Sequence, residues 1–153
     1  MKLAAALAQR ADIQKKLNQL QGRALTVIRV QEGDIPDENP ESLIAEFERL
    51  SAELEVLIQK INHTNSVSKF NDELTIADAI TQRDVLQKRQ QFYSKLADAS
   101  AARTDRYSHT EIRFVSSYPT AQLREKAEEA AIAYRFLDMK LQELNWSVEL
   151  LED

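Results

Sequence analysis

Apolar side chains recur alternately three and four residues apart in four long segments of this chain, at residues 3–27, 43–61, 76–97 and 123–148. That spacing places one apolar stripe on each of four α-helices. Turn-forming residues are scarce, with two Gly and three Pro among 153 residues, whereas sandwiches and barrels need many more. We therefore predict a mainly α fold, an antiparallel four-helix bundle with long heptad-patterned helices, formed as a single helical-bundle domain over residues 1–153.

Start signals for three of the helices agree with this spacing. Pro40 and Glu41 precede the second stripe as residues that commonly open a helix. Thr75 can cap the third helix while Asp78 reaches back to it, a variant of the capping box. The fourth helix is expected to follow Pro119.

Two stretches interrupt the helical spacing. Residues 25–30 read L-T-V-I-R-V and are rich in β-branched side chains, which a helix restricts. Residues 111–116 read E-I-R-F-V-S and alternate polar and apolar at first, as a half-buried strand does. Both stretches fall at the same end of an up-down-up-down bundle, so we predict that they pair as a small two-stranded β ribbon. The alternative is that residues 26–30 simply prolong the first helix.

Composition excludes several classes of function. The net charge of -5 disfavours binding to nucleic acid phosphates, and a chain with no Cys and two His lacks the ligands of common zinc sites. Glu-x-x-His pairs, phosphate-binding glycine loops and hydrolase motifs are all missing from the sequence. We expect no catalytic residues, no metal and no cofactor, and the sequence favours a non-enzymatic protein over an enzyme. No apolar run approaches the roughly 20 residues of a membrane span, so we expect a cytoplasmic protein.

One polar cluster is a candidate ligand-binding site. In the predicted bundle, polar residues from the ends of all four helices lie toward one pole: Arg10, Asn62, Asn65, Asp78, Arg83, Asn145 and Trp146. Arg10 and Arg83 occupy stripe positions where leucine would pack better, so each guanidinium needs a partner such as Asp78 or Asp84. The two arginines could bind an anionic or amide-bearing ligand, or they could fix the register of the helices. At the opposite pole, His109 beside Glu111 and Asp105 could act as a general base or a weak metal site, but the sequence favours Tyr107, His109 and Glu111 as loop residues that face water.

Several short stretches carry a resemblance that covers essentially the whole chain. They are V-Q-E-G-D at residues 30–34, P-E-S-L at 40–43, I-N-H-T-N at 61–65, R-Y-S-H-T-E-I-R-F-V at 106–115 and Q-E-L-N-W at 142–146. Together they resemble an uncharacterised bacterial family of small helical proteins, some of which are labelled septicolysin after a clostridial cytolysin. The resemblance implies a helical fold and supplies no catalytic residue.

Three functions follow from these observations. The sequence favours a non-enzymatic helical interaction or scaffold protein that forms a homo-oligomer, because Ile44, Ile58, Ile132 and Phe136 widen the apolar faces of the second and fourth helices. The second hypothesis is a small-ligand-binding or weakly catalytic protein that uses Arg10 and Arg83. The third, membrane lysis, rests on the septicolysin label, and the negative net charge opposes attraction to anionic lipid.

Overall fold

The computed structural model describes residues 1–102 and 112–152. It contains four helices, α1 (Leu3–Val27), α2 (Pro40–Val67), α3 (Ile76–Ser100) and α4 (Thr120–Ser147). The mainly α class and the four helices are confirmed, and each predicted stripe lies within or at the edge of one helix. None of the helices in the described part of the chain is long and apolar enough to cross a membrane.

The contacts within the chain divide it into two compact units. The first consists of Met1–Lys69 and Glu143–Asp153, and the second of Phe70–Gln142. The first unit therefore contains α1, α2 and the last residues of α4, while the second contains α3 and most of α4. The single domain and the antiparallel arrangement of all four helices stay predictions.

Side-chain caps fix the starts of α2 and α3. The Asn39 side chain accepts a hydrogen bond of 3.0 Å from the backbone N–H of Glu41, and Pro40 occupies the first helical position. At α3 the predicted capping box is confirmed. The Thr75 hydroxyl accepts from the Asp78 backbone at 3.2 Å, and the Asp78 carboxylate accepts from the Thr75 backbone at 3.0 Å.

In the first unit, α1 and α2 pack along each other. The buried residues of both helices recur mainly at intervals of seven: Ala6, Ile13, Leu20 and Val27 in α1, and Leu43, Leu50 and Leu57 in α2. The connection contains a turn closed by the Asp34 N–H and the Gln31 carbonyl, in which Gly33 adopts a φ of 89° that favours glycine. An ion pair between Arg23 and Glu38 joins the last turns of α1 to the residues before α2.

In the second unit, polar contacts join α3 to α4 at two levels. The Arg83 guanidinium donates to Asp138 at 3.0 Å, and the hydroxyls of Ser100 and Thr120 lie 2.7 Å apart. Apolar burial is uneven between the two helices. The buried side chains are Ile76, Ala79 and Ala97 in α3, and Leu123, Ala127, Ala130, Leu137 and Leu141 in α4.

The predicted β ribbon is wrong. Residues 25–27 continue α1, whose C-terminal cap is Ile28, and residues 112–116 are not in a strand. Glu111 lies outside the described residues. The helix prevails because Val27 lies seven residues after Leu20 and is buried with it, which outweighs the helix penalty of β-branched side chains. The alternative, a prolonged first helix, holds as far as Val27.

Candidate functional site

The two members of the predicted polar cluster that lie in the second unit both have partners there. Asp78 belongs to the capping box, and hydrogen bonds from Thr75 hold the pKa of its carboxyl below the usual range. Arg83 is half-buried and forms ion pairs with Asp138 at 3.0 Å and Asp84 at 3.4 Å. The sequence predicted Asp84 as a partner of Arg83 and did not predict Asp138. Because both carboxylates belong to this chain, the Arg83 guanidinium is paired without any ligand.

The other five members lie in the first unit and differ in exposure. Arg10, Asn65 and Asn145 are half-buried, whereas Asn62 is exposed and Trp146 is 71% exposed. Among the described residues, no side-chain hydrogen bond or ion pair holds these five together or gives Arg10 a carboxylate. The Trp146 ring, near the end of α4, is mostly in contact with solvent.

A clasp of backbone bonds, which the sequence did not reveal, joins the residues after α4 to the start of α1. The Leu3 N–H donates to the Val148 carbonyl at 2.9 Å, and the Leu150 N–H donates to the Met1 carbonyl at 2.8 Å. The Leu151 N–H donates to the hydroxyl of Thr64, a fully buried polar side chain. This segment, residues 148–151, is called the clasp below.

Ion pairs reinforce the clasp. Lys2 lies 2.6 Å from Glu149, and its ammonium, through that hydrogen bond, holds the pKa of the Glu149 carboxyl below its usual range. Lys60 of α2 lies 2.7 Å from Glu152 and lowers the pKa of that carboxyl in the same way. Each of these two carboxylates is paired with a lysine ammonium. The clasp therefore has a structural role, and neither carboxylate is left unpaired to act as an acid or a base.

An apolar groove of about 400 Å³ lies between the end of α1 and the start of α2. Gln21 is its one polar lining residue; the others are Leu20, Ala24, Leu25, Ile28, Leu43, Ile44 and Phe47. Leu25, Ile28, Ile44 and Phe47 are all exposed. The groove can hold an apolar group and has no side chain suited to acid–base or nucleophilic chemistry.

A second apolar surface lies on α4. Ile132, Phe136 and Met139 follow one another at spacings of four and three residues, so they share one helix face. They are 53%, 73% and 74% exposed, respectively. At 3.6 residues per turn this face lies roughly opposite Ala130, Leu137 and Leu141, which are buried. These three exposed side chains are called the α4 stripe below.

The described residues contain no group of three His, Asp or Glu side chains close enough together to hold a metal ion. His63 is an exposed residue of α2, and Tyr107, His109 and Glu111 lie outside the described residues. The surfaces that stand out are thus apolar ones, suited to contact with another molecule.

Comparisons with known proteins find similarity to a family and to a solved structure whose functions are unknown. A family of unknown function (DUF6847) matches residues 10–150. The chain is similar over 99% of its length to a crystal structure of a functionally unknown conserved protein from Corynebacterium diphtheriae, with 45% identity, a TM-score of 0.93 and 99% of that chain covered. No curated protein matches the sequence.

Neither match carries the septicolysin label or mentions a cytolytic activity. The resemblance to an uncharacterised family of helical proteins is confirmed, and the part of it that suggested a cytolysin has no support. With residues 10–150 matched, the chain belongs to the family of unknown function DUF6847.

Proposed function

We propose that this chain is a non-enzymatic helical interaction protein that assembles with copies of itself. The observation that carries the proposal is the α4 stripe, in which three large apolar side chains share one face and are each more than half exposed. Removing such a side chain from water contributes about 1.5–3 kcal/mol when burial is complete. A helix face of this kind is stabilised when a partner covers it.

The apolar residues that widen the faces of the second and fourth helices bear on this proposal directly. A monomeric bundle would have to cover Ile44, Ile58, Ile132 and Phe136. Ile44, Ile132 and Phe136 are exposed, while Ile58 is half-buried. The first three are therefore available to a partner, which supports self-assembly. We include in the same proposal that the helices have coiled-coil character and that the protein is cytoplasmic. The net charge of -5 argues against a nucleic acid partner.

Self-assembly is tested by light scattering after size exclusion, and by native mass spectrometry, over a range of concentrations. We expect a discrete oligomer for the unmodified chain. Ile132→Glu should dissociate it while circular dichroism retains the helical signal, because the charge would have to be buried in the interface.

Val56→Glu is the matched control, since Val56 is an α2 residue that is 52% exposed against 53% for Ile132. The control should assemble as the unmodified chain does. A monomer at all concentrations, or equal dissociation of both variants, would contradict the proposal that the α4 stripe drives assembly.

Ligand binding by the polar cluster is a second proposal, and Arg10 is the observation in its favour. Its side chain is half-buried and lies within ion-pair distance of no carboxylate among the described residues. An anionic ligand would offset the desolvation of this guanidinium. Native mass spectrometry of protein purified gently from its host should then detect an extra mass that Arg10→Met removes. Retention of the extra mass by that variant would exclude Arg10 as its binding residue.

A further inference from the structure

Helix α3 also carries an exposed apolar face, and the charged residues beside that face are basic. Val85, Phe92 and Leu96 are exposed and lie at i, i+7 and i+11, so they share one side of the helix. Arg89 fills the i+4 position of the same series, and Lys88 is next to it. Both cations are exposed, and neither forms an ion pair with another described residue.

The α4 stripe is bordered by acidic residues instead. Glu128 and Glu129 precede Ile132 by four and three residues, and Glu125 precedes it by one full heptad. Glu128 lies 3.7 Å from Arg135, whereas Glu125 and Glu129 have no ion pair with a described residue. The start of the stripe is therefore apolar with an excess of negative charge.

The basic residue that follows the stripe is already engaged. The Lys140 ammonium lies 4.9 Å from the centre of the Phe70 ring, an arrangement that attracts a cation to the ring face. The Lys140 ammonium thus contacts a ring of its own unit, and it lies at the end of the stripe away from Glu125, Glu128 and Glu129.

These two faces are complementary to each other and not to themselves. Packing two α4 stripes together would place acidic residues opposite one another: Glu128 and Glu129 lie near their copies in a parallel pair and near Glu143 in an antiparallel pair. Packing two α3 faces together would bring Lys88 and Arg89 within about one helical turn of their copies. Like charges placed opposite each other at an interface disfavour association, whereas opposite charges select the partner and its orientation. The favourable pairing brings α3 of one copy to α4 of another.

We propose that two copies of this chain associate through their second units, with α3 of each copy packed on the α4 stripe of the other. A two-fold axis forms both contacts at once, because each copy supplies one basic and one acidic apolar face. This inference rests on the proposed self-assembly and adds to it the identity of the two faces.

Reversing the charges of one face at a time tests the pairing. The first variant, Lys88→Glu with Arg89→Glu, makes α3 acidic; the second, Glu128→Lys with Glu129→Lys, makes α4 basic. Each should lose self-association by about tenfold or more, because each opposes like charges. An equimolar mixture of the two should form a heterodimer, which native mass spectrometry distinguishes by mass, since both of its contacts are then oppositely charged.

Lys15→Glu with Lys16→Glu is the control, because it reverses two adjacent exposed cations of α1 in the first unit. It should assemble as the unmodified chain does. If the unmodified chain is monomeric, or if native mass spectra show only a different protein bound to it, both this pairing and self-assembly fail. If the unmodified chain assembles but the charge variants assemble equally well, or their mixture gives no heterodimer, only the α3–α4 pairing fails.

Discussion

Helix α2 buries Leu43, Leu50 and Leu57 at intervals of seven along its length, whereas α3 buries only side chains near its two ends. The middle of α3 contributes half-buried residues to the equivalent positions, namely Arg83, Leu86, Gln90 and Tyr93. Both helices begin with a side-chain cap, so the difference lies in what holds each helix after it has started. Apolar burial holds α2, and polar contacts take much of that role in α3.

This difference indicates where the two units are sensitive to substitution. Apolar burial is non-directional and roughly proportional to the apolar area removed from water. A contact such as Arg83 to Asp138 requires two particular residues to meet at one level. We therefore expect the stability of the first unit to fall mainly when buried apolar side chains are truncated. The stability of the second unit should fall when one partner of a polar contact is removed.

The largest effect is expected from Leu57→Ala in α2. Leu57 is 7% exposed, and truncating a buried leucine costs about 2–5 kcal/mol through lost transfer free energy and the resulting cavity. Leu86→Ala in α3 is the comparison, and it should cost clearly less because Leu86 is half-buried. Urea unfolding measures both free energies. Equal losses would show that the middle of α3 depends on apolar burial as much as α2 does.

A smaller effect is expected from breaking the Arg83–Asp138 pair. Removing either partner should reduce the free energy of unfolding by about 1–2 kcal/mol, because the pair is part-buried and joined by a hydrogen bond. A double-mutant cycle with Arg83→Met and Asp138→Asn isolates the interaction of the two side chains. Additive losses would mean that the pair contributes nothing beyond its separate members.

Loss of the α3 cap should have a more modest effect. Thr75→Ala removes the hydroxyl that accepts from the Asp78 backbone, and comparable cap substitutions cost about 1 kcal/mol. Thr75→Ser keeps the hydroxyl and is the control. Denaturant midpoints at neutral pH compare the three proteins. A Thr75→Ser variant as unstable as Thr75→Ala would contradict the role of the hydroxyl.

The smallest effect concerns acid sensitivity of the clasp. The pKa of the Glu149 carboxyl is lowered in the folded chain, mainly by its hydrogen bond with Lys2. A carboxyl with a lowered folded pKa stabilises the fold above its unfolded pKa of about 4.3, and that contribution is lost as pH falls through the folded pKa.

Hydrogen exchange of the Leu150 amide, which donates within the clasp, measures this effect. Protection of that amide should decrease on acidification in the unmodified chain. In Glu149→Gln, protection should be weaker at neutral pH and should depend less on pH. An identical pH dependence in both proteins would exclude Glu149 as the group responsible.

Much of the fold was predictable because its signals are local. The helix starts at Pro40, Ile76 and Thr120 follow from residues within one turn of them, and the burial of Leu20 or Leu57 follows from spacing alone. The ribbon prediction failed where two local signals competed at Val27, since β-branching favoured a strand while the position seven residues after Leu20 favoured burial in a helix.

The site was less predictable because its contacts are distant in sequence. Asp138 lies 55 residues from Arg83, and only the packing of α3 with α4 brings them together. Likewise, Thr64 resembles an ordinary helix residue until the clasp supplies the Leu151 N–H. Ile132 and Phe136 stood out in the sequence as extra apolar residues, but their exposure depends on which face of α4 is buried.

The clasp also fixes an order of events during synthesis. Residues 148–151 bond to Met1, Leu3 and Thr64, yet the ribosome makes them after the whole of the second unit. The pair of α1 and α2 is therefore synthesised before the clasp that completes its unit. Until residues 148–151 are added, the Thr64 hydroxyl lacks the Leu151 N–H that donates to it. Because contacts between distant residues form slowly, closure of the clasp is expected to be among the last steps of folding.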